Sequence, residues 1–265
     1  MKSAVVTGAA SGIGRAIAVR LLADGWRVVG VDIDAEGLDR LMQDSAVTHD
    51  RCAVVVGDVS DRQTHLHARR EAAGLGTLTA WISAAGICVP FPLADIDADS
   101  ARLMVEVNQQ GVLWGSAEAL ADFVEKGTPG VVVAISSVHA RLAAPDFTVY
   151  EMTKAAIEAL IRGIAVTYGP RGIRAVAVAP GAIWTPILRG VYEGDGDGAA
   201  AIRNLTAGTP ARRIGEPEEV ANVVSFVVSD AAAFMTGTTV TIDGGLSSVL
   251  IQQAAQDEES TGEPR

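Results

Sequence analysis

Seven short runs rich in Val and Ile are separated by longer Ala/Leu-rich stretches of helical character. This alternation restricts the possible folds more than any other feature of the chain. The runs are Ala4–Thr7, Arg27–Val31, Ala53–Val56, Thr79–Ile82, Val131–Ile135, Ile173–Val178 and Thr238–Ile242, with helical segments expected from near Gly12, Ala35, Asp61, Asp99, Val149, Ala199 and Pro217. Strands that are almost wholly apolar belong in a parallel sheet covered on both faces. The strict β-then-α order predicts an α/β fold: a doubly wound parallel sheet of about seven strands with helices on both faces.

A chain of 265 residues can bury one large core. No composition break or repeat of solenoid period divides it. A single domain is therefore expected over residues 1–250. The end of the chain (251–265), with its run QDEESTGEPR, is polar, acidic and aperiodic, and is read as a disordered tail. Residues 186–210 break the alternation and contain the Gly-rich GVYEGDGDG; the expectation there is a lid over a substrate site.

The formal net charge of −11 argues against a nucleic-acid partner, which needs a basic face. No apolar run approaches the ~20 residues that span a bilayer, so no membrane partner is expected. The opening MKSAVVTGAASG has an apolar run too short for a signal peptide. The two cysteines, Cys52 and Cys88, lack metal-ligand spacing and are expected to be small buried hydrophobes in a reducing compartment. The reading is a cytoplasmic protein without a metal site.

The first strand runs into Thr7-Gly8-Ala9-Ala10-Ser11-Gly12-Ile13-Gly14 and then the helical RAIAVRLLADG. Glycines here let the chain turn tightly and let its backbone approach a pyrophosphate, which lies on the helix N-terminus where free N–H groups favour negative charge. Between a first strand and a first helix, this spacing is strong evidence for a dinucleotide site. Asp32 ends the second strand ~20 residues on, where a carboxylate can accept hydrogen bonds from an adenosine ribose. It would repel a 2′-phosphate, and no Lys or Arg stands at Ala9, Ala10 or Ile33 to offset it. NAD is thus expected over NADP. Asp58, after the third strand, can hold the adenine amino group or simply cap a turn.

In SSVHARLAAPDFTVYEMTK, Ser136 to Lys154, Tyr150 and Lys154 are four residues apart. On a helix they share a face. For tyrosine to act as a base near neutrality its pKa must fall by roughly three units, about 4 kcal/mol. An ammonium ~4 Å away at an effective dielectric of ~20 supplies about that much. The competing reading gives Lys154 surface ion pairs with Glu151 and Glu158, worth only ~0.2–0.5 kcal/mol each. A serine at the end of the fifth strand can stabilise negative charge on a substrate oxygen, and spacing alone permits Ser136 or Ser137.

Together these stretches resemble the classical short-chain dehydrogenase/reductase family, whose fold is of Rossmann type. TGAASGIG is similar to its cofactor loop, and Ser137, Tyr150 and Lys154 have the spacing of its catalytic residues. Asn108 in VEVNQQG is similar to the asparagine that completes its tetrad. PGAIWTP (Pro180–Pro186), RIGEPEEVA and GTTVTIDGG are similar to its later segments. The resemblance spans about Ser3 to Gly245. It implies that Ser137 is the active serine, with Ser136 in a structural hydrogen bond, and that Asn108 holds a water linking Lys154 to solvent. Gly8, Ser11, Gly12, Ile13, Gly14, Asp32, Asp58, Val59, Ala85 and Gly86 are implied as cofactor contacts, with Tyr150, Lys154, Pro180, Gly181, Ile183 and Thr185 on the nicotinamide side. Thr185 can also cap a helix before Pro186. Two departures stand out: the family's Asn-Asn-Ala-Gly reads Ser83-Ala84-Ala85-Gly86, and an asparagine usual near the sixth strand is Val176.

The resemblance implies an NAD-dependent oxidoreductase interconverting a secondary alcohol and a ketone, with Tyr150 as acid/base, and a homodimer or homotetramer associating through Ala155, Ala156 and Ala159. The alternatives are an NADPH-dependent ketoreductase of the 3-oxoacyl-carrier-protein reductase type and a dinucleotide sensor without turnover. His139, Arg141, Cys88, Trp184 and Tyr192 are expected near the mouth of the site, with Arg141 and His139 read as ordinary loop residues.

Overall fold

A computed structural model describes residues 1–44, 48, 50–192 and 198–249. The chain-end tail at 251–265 and the centre of the Gly-rich turn, 193–197, lie outside the described residues. In chain order the elements are β1 Lys2–Thr7, α1 Gly12–Ala23, β2 Arg27–Asp32, α2 Ala35–Met42, β3 Cys52–Val56, α3 Arg62–Leu75, β4 Thr77–Ser83, α4 Ala98–Val105, α5 Gly111–Lys126, β5 Gly130–Ile135, α6 Thr148–Tyr168, β6 Ile173–Pro180, α7 Pro186–Tyr192, α8 Gly198–Gly208, α9 Pro217–Val228 and β7 Thr238–Ile242.

All pairings are parallel, in the order β3-β2-β1-β4-β5-β6-β7. Side chains alternate across the strands, so each strand feeds both cores. Ala4, Val6, Val28, Val133 and Val178 pack with Ile17, Leu21, Leu38 and Val224 on the face covered by α1, α2 and α9. Val5, Val29, Val132 and Ala177 pack with Ala68, Ala119, Phe123, Ile157 and Ile161 under α3, α5 and α6. Gly115 lets α5 press against β4, since a β-carbon there would come 2.5 Å from Trp81 Nε1.

Two elements depart from the sequence expectation. The helical segment from Asp99 runs through α4 and α5, joined by a π-helical turn at Glu106–Gln110 in which Gly111 N–H bonds the Glu106 carbonyl. Within residues 186–210, α8 matches the helical segment expected from near Ala199, and α7 is an additional helix. No helix among the described residues is long and apolar enough to cross a membrane.

The strand order reverses between β1 and β4, so the loops after these strands diverge and leave a crevice at the carboxyl edge.

Candidate active site

A cleft of about 500 Å³ opens at this crevice. Its floor is the glycine loop. Gly8 has φ +72° and a β-carbon there would lie 2.8 Å from the Ala85 nitrogen; one at Gly14 would lie 2.1 Å from the Gly8 carbonyl oxygen. The turn is thus closed to any side chain at these positions and brings bare backbone to the cleft. Ser11 takes the N-cap position of α1 without a side-chain bond to that helix, which leaves the helix N-terminus facing the cleft.

Asp32 braces this loop. Its carboxylate accepts the Ala10 N–H and the Asp34 N–H, each at 3.0 Å. Asp58 accepts the Ser60 N–H at 2.8 Å, the turn-capping role, and still lines the cleft. Thr7 Oγ1 accepts both Ala84 and Ala85 N–H groups at 3.1 Å. It thereby ties the loop after β4 to β1, where the sequence departs from the family pattern. Sequence reasoning missed Thr7, although its position directly before Gly8 was a usable signal.

At the other end, α6 presents Tyr150 and Lys154 beside Ser137, which ends the run after β5. Lys154 is buried and donates to the Ile135 carbonyl at 3.0 Å; its ammonium stands 5.5 Å from the Tyr150 ring centroid. Burial holds the lysine down to about 8, with Cys88 acting upward. The Tyr150 phenol is pushed up by burial, secondarily by Cys88, against a lowering hydrogen bond with Ser137. Burial thus leaves the phenol raised in the chain alone, with the Ser137 hydrogen bond as the opposing influence, and the expected net lowering by Lys154 is not found there. Ser136 Oγ donates to the Lys154 carbonyl at 3.2 Å, the structural bond expected of it.

Asn108 is fully buried in the π turn and does not line the cleft. Its amide accepts the Ile87 N–H and donates to the Ile87 carbonyl, both at 2.9 Å, and donates to Thr153 Oγ1 at 3.1 Å. The amide is thus occupied with shaping the backbone beside Gly86, where an added β-carbon would stand 3.2 Å from Asn108 Oδ1 and 3.5 Å from Lys154 Nζ. Every other residue named from the sequence as a catalytic or cofactor-contact candidate lines this one cleft. Thr185 Oγ1 also accepts the Leu188 N–H at 3.2 Å, so its helix-capping role is present too.

Glu151 and Glu158 do not pair with Lys154. Glu151 accepts the Ala144 N–H at 2.7 Å and meets His139 Nδ1 at 3.3 Å, while buried Glu158 holds Arg141 Nε at 3.0 Å. Both acids anchor the loop between Ser137 and Tyr150. Phe147, unremarked in the sequence, stacks on His139 with centroids 5.0 Å apart, and both rings meet Tyr150 edge-on. Of the expected mouth residues, His139, Cys88 and Tyr192 line the cleft; Arg141 and Trp184 do not. Trp184 lies instead under the Arg189 guanidinium at 5.2 Å. Cys52 is buried as expected, but Cys88 is half-buried in the cleft wall, its thiol pushed up to about 11 by burial.

A glycine-floored crevice beside a Ser–Tyr–Lys cluster, at the switch point of a doubly wound sheet, defines a nucleotide-dependent oxidoreductase site. The profile of the family described as Enoyl-(Acyl carrier protein) reductase matches residues 8–247. The cis-4-hydroxycyclohexanecarboxylate dehydrogenase of Sinomonas cyclohexanicum is 36% identical, the match covering 93% of this chain and 96% of that protein. The 3beta-hydroxysteroid dehydrogenase 1 of Eggerthella lenta is 34% identical, over 93% and 94%. The crystal structure of levodione reductase superposes with a TM-score of 0.87 at 31% identity, covering 93% of this chain and 98% of that one. The chain belongs to the classical short-chain dehydrogenase/reductase family. It is an oxidoreductase acting on CH–OH groups, with a nicotinamide dinucleotide as cofactor.

Proposed function

We propose that this enzyme interconverts a secondary alcohol and a ketone with NAD, using Tyr150 as the acid/base. The observation that carries this reading is the shape of one continuous cleft. Tyr150, Ser137 and Lys154 meet at one end, and the glycine loop with Asp32 lies at the other. The residues fit a dinucleotide: Gly8 and Gly14 allow a turn too tight for any β-carbon, and that turn brings bare backbone to the cleft at the N-terminus of α1.

NAD is favoured over NADP by Asp32 and by Ile33, which is 70% exposed and offers a 2′-phosphate no charge. Among the described lining residues the one lysine is Lys154, and none is arginine. When bound, the nicotinamide supplies hydride acceptance and return.

The protein's own part is proton transfer and orientation. Ser137 holds the substrate oxygen and stabilises charge on it. Tyr150 takes the hydroxyl proton on oxidation and returns it on reduction. Lys154, still largely protonated at neutral pH, favours the tyrosinate against the burial that opposes it, and holds the ribose hydroxyls. Gly8, Ser11, Gly12, Ile13, Gly14, Asp32, Asp58, Val59, Ala85, Gly86, Pro180, Gly181, Ile183 and Thr185 form the cofactor bed. Asn108 fixes the Gly86–Ile87 backbone that this bed rests on, and water relay to Lys154 is its further role.

Residues 1–250 form one catalytic domain, with α7 covering the substrate end through Ile187, Leu188, Val191 and Tyr192. Exposed Ala155, Ala156, Ala159 and Val166 on α6 support a homodimer or homotetramer. Two unpaired cysteines support a reducing, cytoplasmic setting. The decisive experiment mixes pure protein with NAD or NADP and a panel of secondary alcohols and follows nicotinamide reduction. Preference for NADP would overturn the Asp32 argument, and NADH binding without turnover on any alcohol would favour a sensor.

A further inference from the structure

The stacked His139–Phe147 pair and the Tyr150 ring form a corner at the reacting end of the cleft. Tyr150 stands at 72° to His139 and 73° to Phe147. The corner is rigidly held. Glu151 grips the loop at His139 and Ala144, Glu158 grips it at Arg141, and the Phe91 N–H bonds the Asp146 carbonyl at 2.9 Å. Ile87, Leu103, Val191, Leu205 and Leu246 add apolar lining to the same cleft.

Charge is arranged to the same end. Arg141, the one cation of the loop, is engaged by Glu158 and does not line the cleft, and Arg189 lies over Trp184. Lys154 is the sole cation among the described lining residues and lies behind Tyr150, bonded to Ile135. A carboxylate or phosphate at this end would be desolvated without a partner, a cost of several kcal/mol on general grounds. A polyol would bury hydroxyls with few free acceptors or donors: beyond Ser137, Tyr150 and Lys154 the polar side chains there are His139, Tyr192, the Cys88 thiol, and Ser136 and Thr185, whose hydroxyls already bond the Lys154 carbonyl and the Leu188 N–H.

We propose that the substrate is an uncharged alicyclic secondary alcohol or its ketone, its hydrocarbon ring seated in the corner made by His139, Phe147 and Tyr150. This rests on the oxidoreductase reading above and names the substrate class for that site. Steric fit in the corner selects a ring, and the apolar lining of the cleft selects against charge and multiple hydroxyls.

The test compares three ring alcohols with the full-length protein and NAD: 4-tert-butylcyclohexanol, 4-hydroxycyclohexanecarboxylate and myo-inositol. The neutral alcohol is expected to exceed each of the others in kcat/KM by about a hundredfold or more. Phe147→Ala should raise its KM about tenfold with little change in kcat, whereas Phe147→Leu, which keeps apolar surface, should stay within about threefold of the parent. A higher kcat/KM for the carboxylate or the polyol, or a Phe147→Ala variant with unchanged KM, overturns the proposal while leaving the oxidoreductase reading intact. Absence of turnover on all three and on acyclic secondary alcohols, with NADH still bound, overturns the reading beneath it.

Discussion

Asp32 accepts the backbone N–H of Ala10 at 3.0 Å, so the acid at the end of β2 holds the glycine loop in place. The same group faces the cofactor end of the cleft. Asp32→Ala should therefore weaken NADH binding by about tenfold or more, because bonds to a charged acceptor are worth roughly 1.5–3 kcal/mol. It should also narrow the preference against NADPH. Fluorescence titration with both reduced cofactors measures each effect, and NADH affinity equal to the parent's would remove Asp32 from the site.

Tyr150→Phe removes one oxygen and leaves the ring against His139 and Phe147. Turnover should fall by about 10²–10⁴-fold, with NADH affinity nearly unchanged. Ser137→Ala should cost about 10²–10³-fold in kcat. Retention of most activity by the phenylalanine variant would sink the assigned mechanism.

Burial lowers Lys154 from an ordinary 10.5 to about 8. Between these values the unfolded chain carries a proton that the folded chain has lost, so stability rises with pH across about 8 to 10.5. Below pH 8 the cost of the buried charge is fully present, on the order of 3 kcal/mol. Tyr150, whose pKa is raised by burial, lowers stability only as pH climbs past its ordinary 10.0. Lys154→Met should thus stabilise the cofactor-free protein at pH 7, on the order of 1–3 kcal/mol, while abolishing turnover. The gain should shrink by pH 9.5 in urea denaturation. A variant less stable than the parent at pH 7 would contradict this.

Glu118 and Asp122 on α5 are buried and meet Arg62, Arg69 and Lys126, with Asp122 at 3.2 Å from Arg69 and 2.7 Å from Lys126. Removing one partner strands the others, so Asp122→Ala should destabilise by roughly 3 kcal/mol and lower Tm by roughly 6–12 °C. Cofactor affinity should hold. Thermal melting with and without NADH separates the two.

Most strands were legible because they are short, nearly continuous apolar runs, as a sheet covered on both faces requires, whereas the edge strand β7 is the Thr-rich, β-branched TTVTI. β7 was bounded at both ends from sequence, and the others were placed within two residues of theirs. The glycine loop, Asp32 and the Tyr150–Lys154 pair were legible because their spacing within a strand–loop–helix unit has few other uses. The partners of Glu151 and Glu158 were not, since helical spacing offers Lys154, while His139 and Arg141 lie outside α6 and reach these acids only through the tertiary fold. The choice is made by the loop that folds back over α6. The raised phenol of Tyr150 was hidden for a similar reason: sequence supplies a lysine four residues on, while the burial that pushes the phenol up depends on packing. Phe147 was missed because a single aromatic in a loop signals nothing until its stacking on His139 is seen.

The wide turn at Glu106–Gln110 amounts to one residue more than a regular α-helix would need at that point. Deleting one residue there would close it into ordinary helix and leave both flanks in phase, so Gly115, Ala119 and Phe123 would keep their places on the sheet. Asn108 would instead swing away from Ile87 and Thr153. Melting temperature should then fall modestly while turnover is largely lost. Chain length at this one point is therefore expected to separate the architecture from the catalyst, which thermal melting and turnover of the one-residue deletion would measure.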